Sequence, residues 1–149
     1  MNLKVRMQAL LARFKFLLGW NRIAISLAGS VVLLIFAYPS PASLTVGSLI
    51  AMTGAILRTL AAGYVKKNRE LSMYGPYSYV RHPLYVGNFL LGLGFSVMAN
   101  RWFLIFAFGV LFYVLYSSVI HEEEKTLQRT FGKAYTEYSK KVPAFIPRF

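Results

Sequence analysis

Apolar residues gather in four runs separated by short polar segments: Ile23 to Tyr38, Leu44 to Val65, Leu84 to Ala99, and Trp102 to Ile120. A helix needs about 20 residues, with a range of roughly 17–25, to cross a bilayer. Lipid offers no partner for backbone N–H and C=O groups, so each run is predicted to be a transmembrane helix. The first and third are short, and Trp20 and Tyr85 are placed to sit at the interface. The PSPAS link between the first two runs carries two prolines and predicts a tight turn. Only Asn100 and Arg101 separate the last two, so these are expected to form an antiparallel hairpin.

Residues 1–22 alternate bases with Leu, Phe and Met and hold no acid. They predict an amphipathic helix lying in the membrane plane. A secretory signal is the alternative, but no small-residue cleavage site follows the first run cleanly. Beyond Ile120, Leu127, Phe131, Tyr135, Tyr138 and Val142 follow helical spacing, an apolar face expected against the membrane or the domain. The expected architecture is all-α and integral to the membrane. A single domain, residues 1–149, comprises the N-terminal segment (1–22), a four-helix transmembrane bundle (23–120) and a helical tail (121–149).

Composition sharpens this reading. Hydrophobic residues make up 56% of 149 positions, above the usual 45–50% or so of a soluble domain. A soluble chain this small has too little interior to hide so much apolar surface. With no Cys in the chain, a thiol nucleophile, Cys-ligated zinc and redox chemistry by the protein itself are excluded, and no metal is expected. A net charge of +12 would fit nucleic acid, but the basic residues flank the apolar runs, so no nucleic-acid partner is expected. Fifteen of the 17 Lys and Arg residues fall in the N-terminal segment, the link between runs two and three, and the tail. Arg101 is alone on the opposite side and Arg58 lies within a run. Basic segments stay cytoplasmic, so both termini are expected there.

The hairpin has a chemical consequence. Pro83 lies 17 residues before Asn100, and His121 lies 20 residues after Arg101. At about 1.5 Å per residue the two sit at similar heights. Tyr77, Arg81, His82 and Tyr85 should therefore meet His121 and Glu122 to Glu124. Gly75-Pro76 signals a turn, and Pro83 suits the first position of a helix. A helix starting there would offer amides and a positive dipole end to an anion beside Arg81 and His82. The plainer alternative is that His82 caps the helix and Arg81 reaches lipid phosphates. Glu122 to Glu124 read either as a solvated face pairing with Lys125 and Arg129 or as carboxylates for a cationic or hydroxyl-rich ligand.

Arg58 is the one charge inside a run, and it shares a face with Gly47, Ala51, Gly54 and Ala62. Intramembrane charge marks function by default, with snorkelling to the surface as the alternative. Tyr85, Asn88, Gly92 and Ser96 form a second polar, small-residue seam. Gly92 and Gly94 form a GxG with no preceding strand, so close helix packing explains it as well as ligand approach does.

The run LSMYGPYSYVRHPLYVGNFLLGLGF, followed by EEEKTLQRTFGKAYTEYSKKVPAFIP, resembles the membrane methyltransferase family of isoprenylcysteine carboxyl methyltransferases and phospholipid N-methyltransferases. The resemblance covers about residues 54–147. It implies S-adenosylmethionine as cofactor and a lipidated or phospholipid acceptor arriving from the bilayer. Tyr77 matches the tyrosine of GPY. His82, Pro83, Leu84 and Tyr85 match the cofactor-contacting HPxY, with Arg81 beside them. Glu123 matches the first Glu of EExxL, also a cofactor contact, and Glu124 the second. Gly92 and Gly94 match a cofactor-contacting GxG of the phospholipid enzymes. Arg58 and Glu124 are the candidates for the chemistry: Arg58 to hold an anionic acceptor, and Glu124, with His82 and His121 as the alternatives nearby, to take a proton from an amine. Val119 stands where prenylcysteine enzymes can carry an arginine. Membrane sterol reductases share RHPxY-like features, but their tails use Asp-Glu followed by Cys and Trp, and this chain has neither a Cys nor a tail Trp. A non-enzymatic membrane protein on the same fold is the remaining alternative.

Overall fold

The computed structural model describes residues 22–65 and 70–147. The expected in-plane N-terminal helix falls outside the described residues. The chain divides into two compact units at the Phe36–Ala37 boundary. The first contains α1 (Arg22–Phe36). The second contains α2 (Pro41–Tyr64), a 3-10 turn (Gly75–Ser78), α3 (Pro83–Met98), α4 (Trp102–Phe131) and α5 (Lys133–Lys141). Among the described residues all regular structure is helical.

Local sequence explains the boundaries. Ser40 caps α2 in a reciprocal capping box with Ser43, and Pro41 takes the first turn, where its missing N–H costs nothing. The α3–α4 turn is tight. Asn100 adopts a positive φ of 55°, which Asn tolerates better than most residues. Its side-chain amide donates to the Tyr38 carbonyl at 3.2 Å. Helix α4 runs on through Phe131, well past the last apolar residue of its run, because no Gly or Pro falls between Ile120 and Gly132. At Gly132 φ reaches 51° and the helix stops. The apolar stripe of the tail is therefore divided between two helices, α4 and α5.

Helices α2 and α4 are long and apolar enough to cross a membrane. Ala24–Phe36 and Pro83–Met98 are apolar but shorter. Large apolar side chains such as Leu34, Phe106 and Tyr113 are exposed, as lipid-facing residues would be.

Small residues bring α2 and α3 into backbone contact. A Cβ at Gly54 would lie 2.7 Å from the Leu91 nitrogen, and one at Gly94 would lie 2.6 Å from the Ala51 nitrogen. Such close approach is a characteristic way for helices to pack in lipid. The seam on α2 passes through Gly47, Ala51, Gly54 and Ala61, all buried, whereas Ala62, the expected member, is exposed. Between α3 and α4 the contact is aromatic: Phe89 meets Phe108 at 5.7 Å and Phe112 at 5.0 Å between ring centroids.

Candidate active site

The segment before α3 is built to place its side chains. Gly75 has a φ of 61°, and the Tyr64 ring lies where its Cβ would be, 2.7 Å from that position. Any side chain there would displace the ring that ties the turn to α2. The turn buries Tyr77, and the chain then enters α3 at His82 and Pro83.

The C-terminal tail holds this entry from the other side. The amides of Arg81 and His82 donate to the carbonyls of Pro143 and Ala144 at 2.9 and 3.2 Å. The Tyr138 hydroxyl donates to the Tyr77 carbonyl at 2.6 Å. Phe145 inserts its ring against Phe89 and Phe112, at 5.9 and 6.0 Å between centroids. These contacts tie the Arg81 and His82 amides, which precede the first turn of α3, to the chain's own tail.

Two polar clusters some 40 residues apart in sequence meet here. Arg81 Nη1 lies 2.8 Å from Glu124 Oε1 and also donates to the Tyr135 hydroxyl at 3.0 Å. His82 Nε2 lies 3.3 Å from the same Glu124 oxygen, while His82 Nδ1 lies 3.7 Å from Glu123 Oε2. His82 is buried, at 3% exposure, so the imidazole is wedged between two carboxylates. Glu124 is held by two donors and Glu123 stays more open, with 44% of its side chain exposed. Glu122 points outward and pairs with Lys125 at 3.0 Å. Burial pushes the Tyr77 hydroxyl up to about 12, and the Glu123 charge adds to the effect. Burial likewise raises Tyr135 and Tyr138 above the ordinary tyrosine value.

A line of rings and amides continues down into the helices. Tyr85 stacks on His82 at 5.8 Å and meets Tyr116 edge-on at 5.4 Å. Asn88 donates to the Tyr116 hydroxyl at 3.4 Å, and the Arg58 guanidinium donates to the Asn88 side-chain oxygen. Arg58 is thus linked to the cluster through α3 and α4. The structure brings Tyr77, Arg81, His82, Pro83, Tyr85, Glu123 and Glu124 together, with Leu84 in the same first turn of α3. Gly92 and Gly94 lie elsewhere. A Cβ at Gly92 would sit 2.2 Å from the Phe108 ring of α4, and Gly94 faces α2. Helix packing accounts for both glycines.

Four contributors were not legible in the sequence: the Pro143 and Ala144 carbonyls, Phe145, and the Asn88–Tyr116 pair. In the sequence VPAFIP stands only as the end of the family's tail motif, which carries no information on where the segment docks.

Among the described residues the fold is all-helical, with a tight α3–α4 hairpin and a polar cluster at its open end. It resembles the structure of the eukaryotic intramembrane Ras methyltransferase (isoprenylcysteine carboxyl methyltransferase), with a TM-score of 0.71 and 23% identity over 85% of this chain and 52% of that one. The phospholipid methyltransferase family model matches residues 42–134, and the chain belongs to that family. Among its relatives, the nickel-cobalt-cadmium resistance protein NccN of Alcaligenes xylosoxydans xylosoxydans is 38% identical over 111 residues, 73% of this chain and 52% of that protein. The protein-S-isoprenylcysteine O-methyltransferase of Schizosaccharomyces pombe is 34% identical over 100 residues, 67% of this chain and 42% of the relative. The chain therefore spans about half the length, or less, of these relatives.

Proposed function

We propose that this chain is an S-adenosylmethionine-dependent methyltransferase acting on a lipidic acceptor in the membrane, with carboxyl O-methylation of the isoprenylcysteine type preferred. The observation that carries this reading is the convergence of His82 and Arg81 on Glu124, which joins the two halves of the family's paired motif. Four membrane-crossing helices with both termini cytoplasmic complete the proposal.

The residues present suit the cofactor. Its ammonium and ribose hydroxyls need acceptors, and Glu123 is the carboxylate left partly open. Its sulfonium favours π-faces, which Tyr77 and Tyr85 offer. His82 and Pro83 fix the geometry of that wall, and Leu84 adds apolar surface. When bound, the cofactor supplies an electrophilic methyl group.

The chain's own contribution is alignment and exclusion of water. Arg81 and His82 fix Glu124 by charge-assisted contacts. The tail segment Pro143–Phe145 covers the entry to α3. Arg58, held by Asn88, serves the anionic group of the acceptor. A carboxylate acceptor needs no base. An amine acceptor must lose a proton, and Glu124 is the group placed to take it.

Phospholipid N-methylation is the second reading, favoured by the family description itself. The two differ in the bond made. Radiolabelled methyl transferred from S-adenosylmethionine to membrane-soluble material should become volatile after alkali if the product is a methyl ester. Label that survives alkali in the lipid phase would establish N-methylation instead. No transfer, together with no calorimetric binding of the cofactor, would reject both.

A further inference from the structure

A groove of about 410 Å³ opens beside the cluster, on the polar end of α4. Lys125 and Arg129 repeat along one face of that helix with His121 one turn before them, Tyr135 and Ser139 line it from α5, and Arg81 and Glu124 lie at its inner end. Gln128 fixes its width, because its side-chain amide bonds both the Gly132 carbonyl at 3.3 Å and the Thr136 hydroxyl at 2.9 Å across the α4–α5 turn.

The charges lining this groove do not balance. Glu124 compensates Arg81 at 2.8 Å. Lys125 leans on Glu122, but both side chains are largely exposed, at 47% and 69%, and such pairs are weak. Arg129 has no ion pair among the described residues. In addition, the Nε–H of Arg81 is buried and has no acceptor. Buried donors are nearly always paired, and a guanidinium presents its N–H groups in a fork that suits a phosphate.

Position adds the source of the anion. The apolar run of α4 ends at Ile120. Lys125 lies about 7.5 Å further along the helix, within the layer of about 5–8 Å that headgroups add to each side of the hydrocarbon core. We infer that the α4–α5 groove binds a phosphate-bearing anion, supplied by the headgroup of an acidic membrane lipid or by phosphate in solution. Arg81 flanks it at the inner end, Arg129 and Lys125 from α4, and the Ser139 hydroxyl from α5. Arg81 also holds Glu124, so occupancy of the groove reaches the candidate catalytic carboxylate. That coupling rests on the proposed methyl transfer, whereas the binding site itself does not.

The test separates binding from turnover. The full chain in detergent is titrated with inorganic phosphate by calorimetry. In parallel, retention of phosphatidylglycerol against phosphatidylcholine is read by native mass spectrometry. The double variant Lys125→Gln/Arg129→Gln should lose tenfold or more in the affinity that wild type shows. Lys140→Gln/Lys141→Gln removes the same charge outside the groove and should lose little. Ser139→Asp, which adds a negative charge in the groove, should weaken binding as the double variant does. Circular dichroism checks that helix content is kept. Selective retention of phosphatidylglycerol assigns the site to lipid, and phosphate binding without lipid selectivity assigns it to a soluble anion. Equal losses in the two double variants, or no binding of either probe by wild type, would overturn the proposal whether or not methyl transfer is observed.

Discussion

Glu122, Glu123 and Glu124 are consecutive and chemically identical, yet the fold gives each a different task. Glu122 faces outward with Lys125, Glu123 flanks His82 with its side chain 44% exposed, and Glu124 is gripped by Arg81 and His82. A charge-assisted hydrogen bond contributes about 1.5–3 kcal/mol, so Glu123→Ala should weaken S-adenosylmethionine binding by roughly 10–150-fold. His82→Ala should weaken it severalfold by releasing both carboxylates. Glu122→Ala should leave binding near wild type, and calorimetry on the three variants checks the order. Arg58→Ala should act differently, lowering turnover more than cofactor affinity, because Arg58 reaches the cluster only through Asn88 and Tyr116. Steady-state kinetics alongside binding measurements would separate these effects. The meeting of His82 with the acidic triplet was legible, since the hairpin turn and the helical rise fix heights. The partners of Arg58 were not, because they depend on how three helices are rotated about their axes.

At the scale of elements, helix existence followed from apolar runs, while helix ends followed from caps and breakers. Ser40 started α2 earlier than its apolar run, and Gly132 ended α4 later. Glycines show how far sequence carries. Gly54 and Gly109 look alike as mid-helix glycines, but a Cβ at Gly54 strikes the α3 backbone, and one at Gly109 meets nothing within 4 Å. Gly54→Val should therefore destabilise by about 1–3 kcal/mol or more through overpacking. Gly109→Ala should stabilise by about 0.5–1 kcal/mol through helix propensity. Thermal denaturation in one detergent compares the two directly.

The tail makes a prediction about pH. The folded state raises the Tyr77 hydroxyl to about 12 from its ordinary 10.0, and Tyr138 is raised as well. Between those values the folded chain keeps protons that the unfolded chain releases, so this contribution is complete below about pH 10 and is lost as pH rises towards about 12. Stability should fall across that window, and Tyr77→Phe should flatten the fall. An equally steep loss in the variant would show that these burials do not govern alkaline stability.

For the whole molecule, charge placement speaks where packing does not. Fifteen of the 17 basic residues lie in the N-terminal segment, the link between α2 and α3, or the tail, and Arg101 alone marks the opposite side. Basic segments are retained in the cytoplasm, so the turn before α2 should face outward and α5 inward. Native cysteine is absent, so single cysteines report position without background. Ser43 is a poor site, because it is buried and closes the capping box of α2. Ala42 and Lys140 are exposed and suit the purpose. An impermeant maleimide applied to intact cells should label Ala42→Cys and spare Lys140→Cys until the membrane is broken. With that orientation Glu123, Glu124 and His82 would lie on the cytoplasmic side, where the proposed cofactor and the polar end of the proposed acceptor should reach them. Labelling of Lys140→Cys in intact cells, with protection of Ala42→Cys, would reverse the orientation. The cluster would then lie on the side without cofactor, and the methyltransferase reading would fall with the topology.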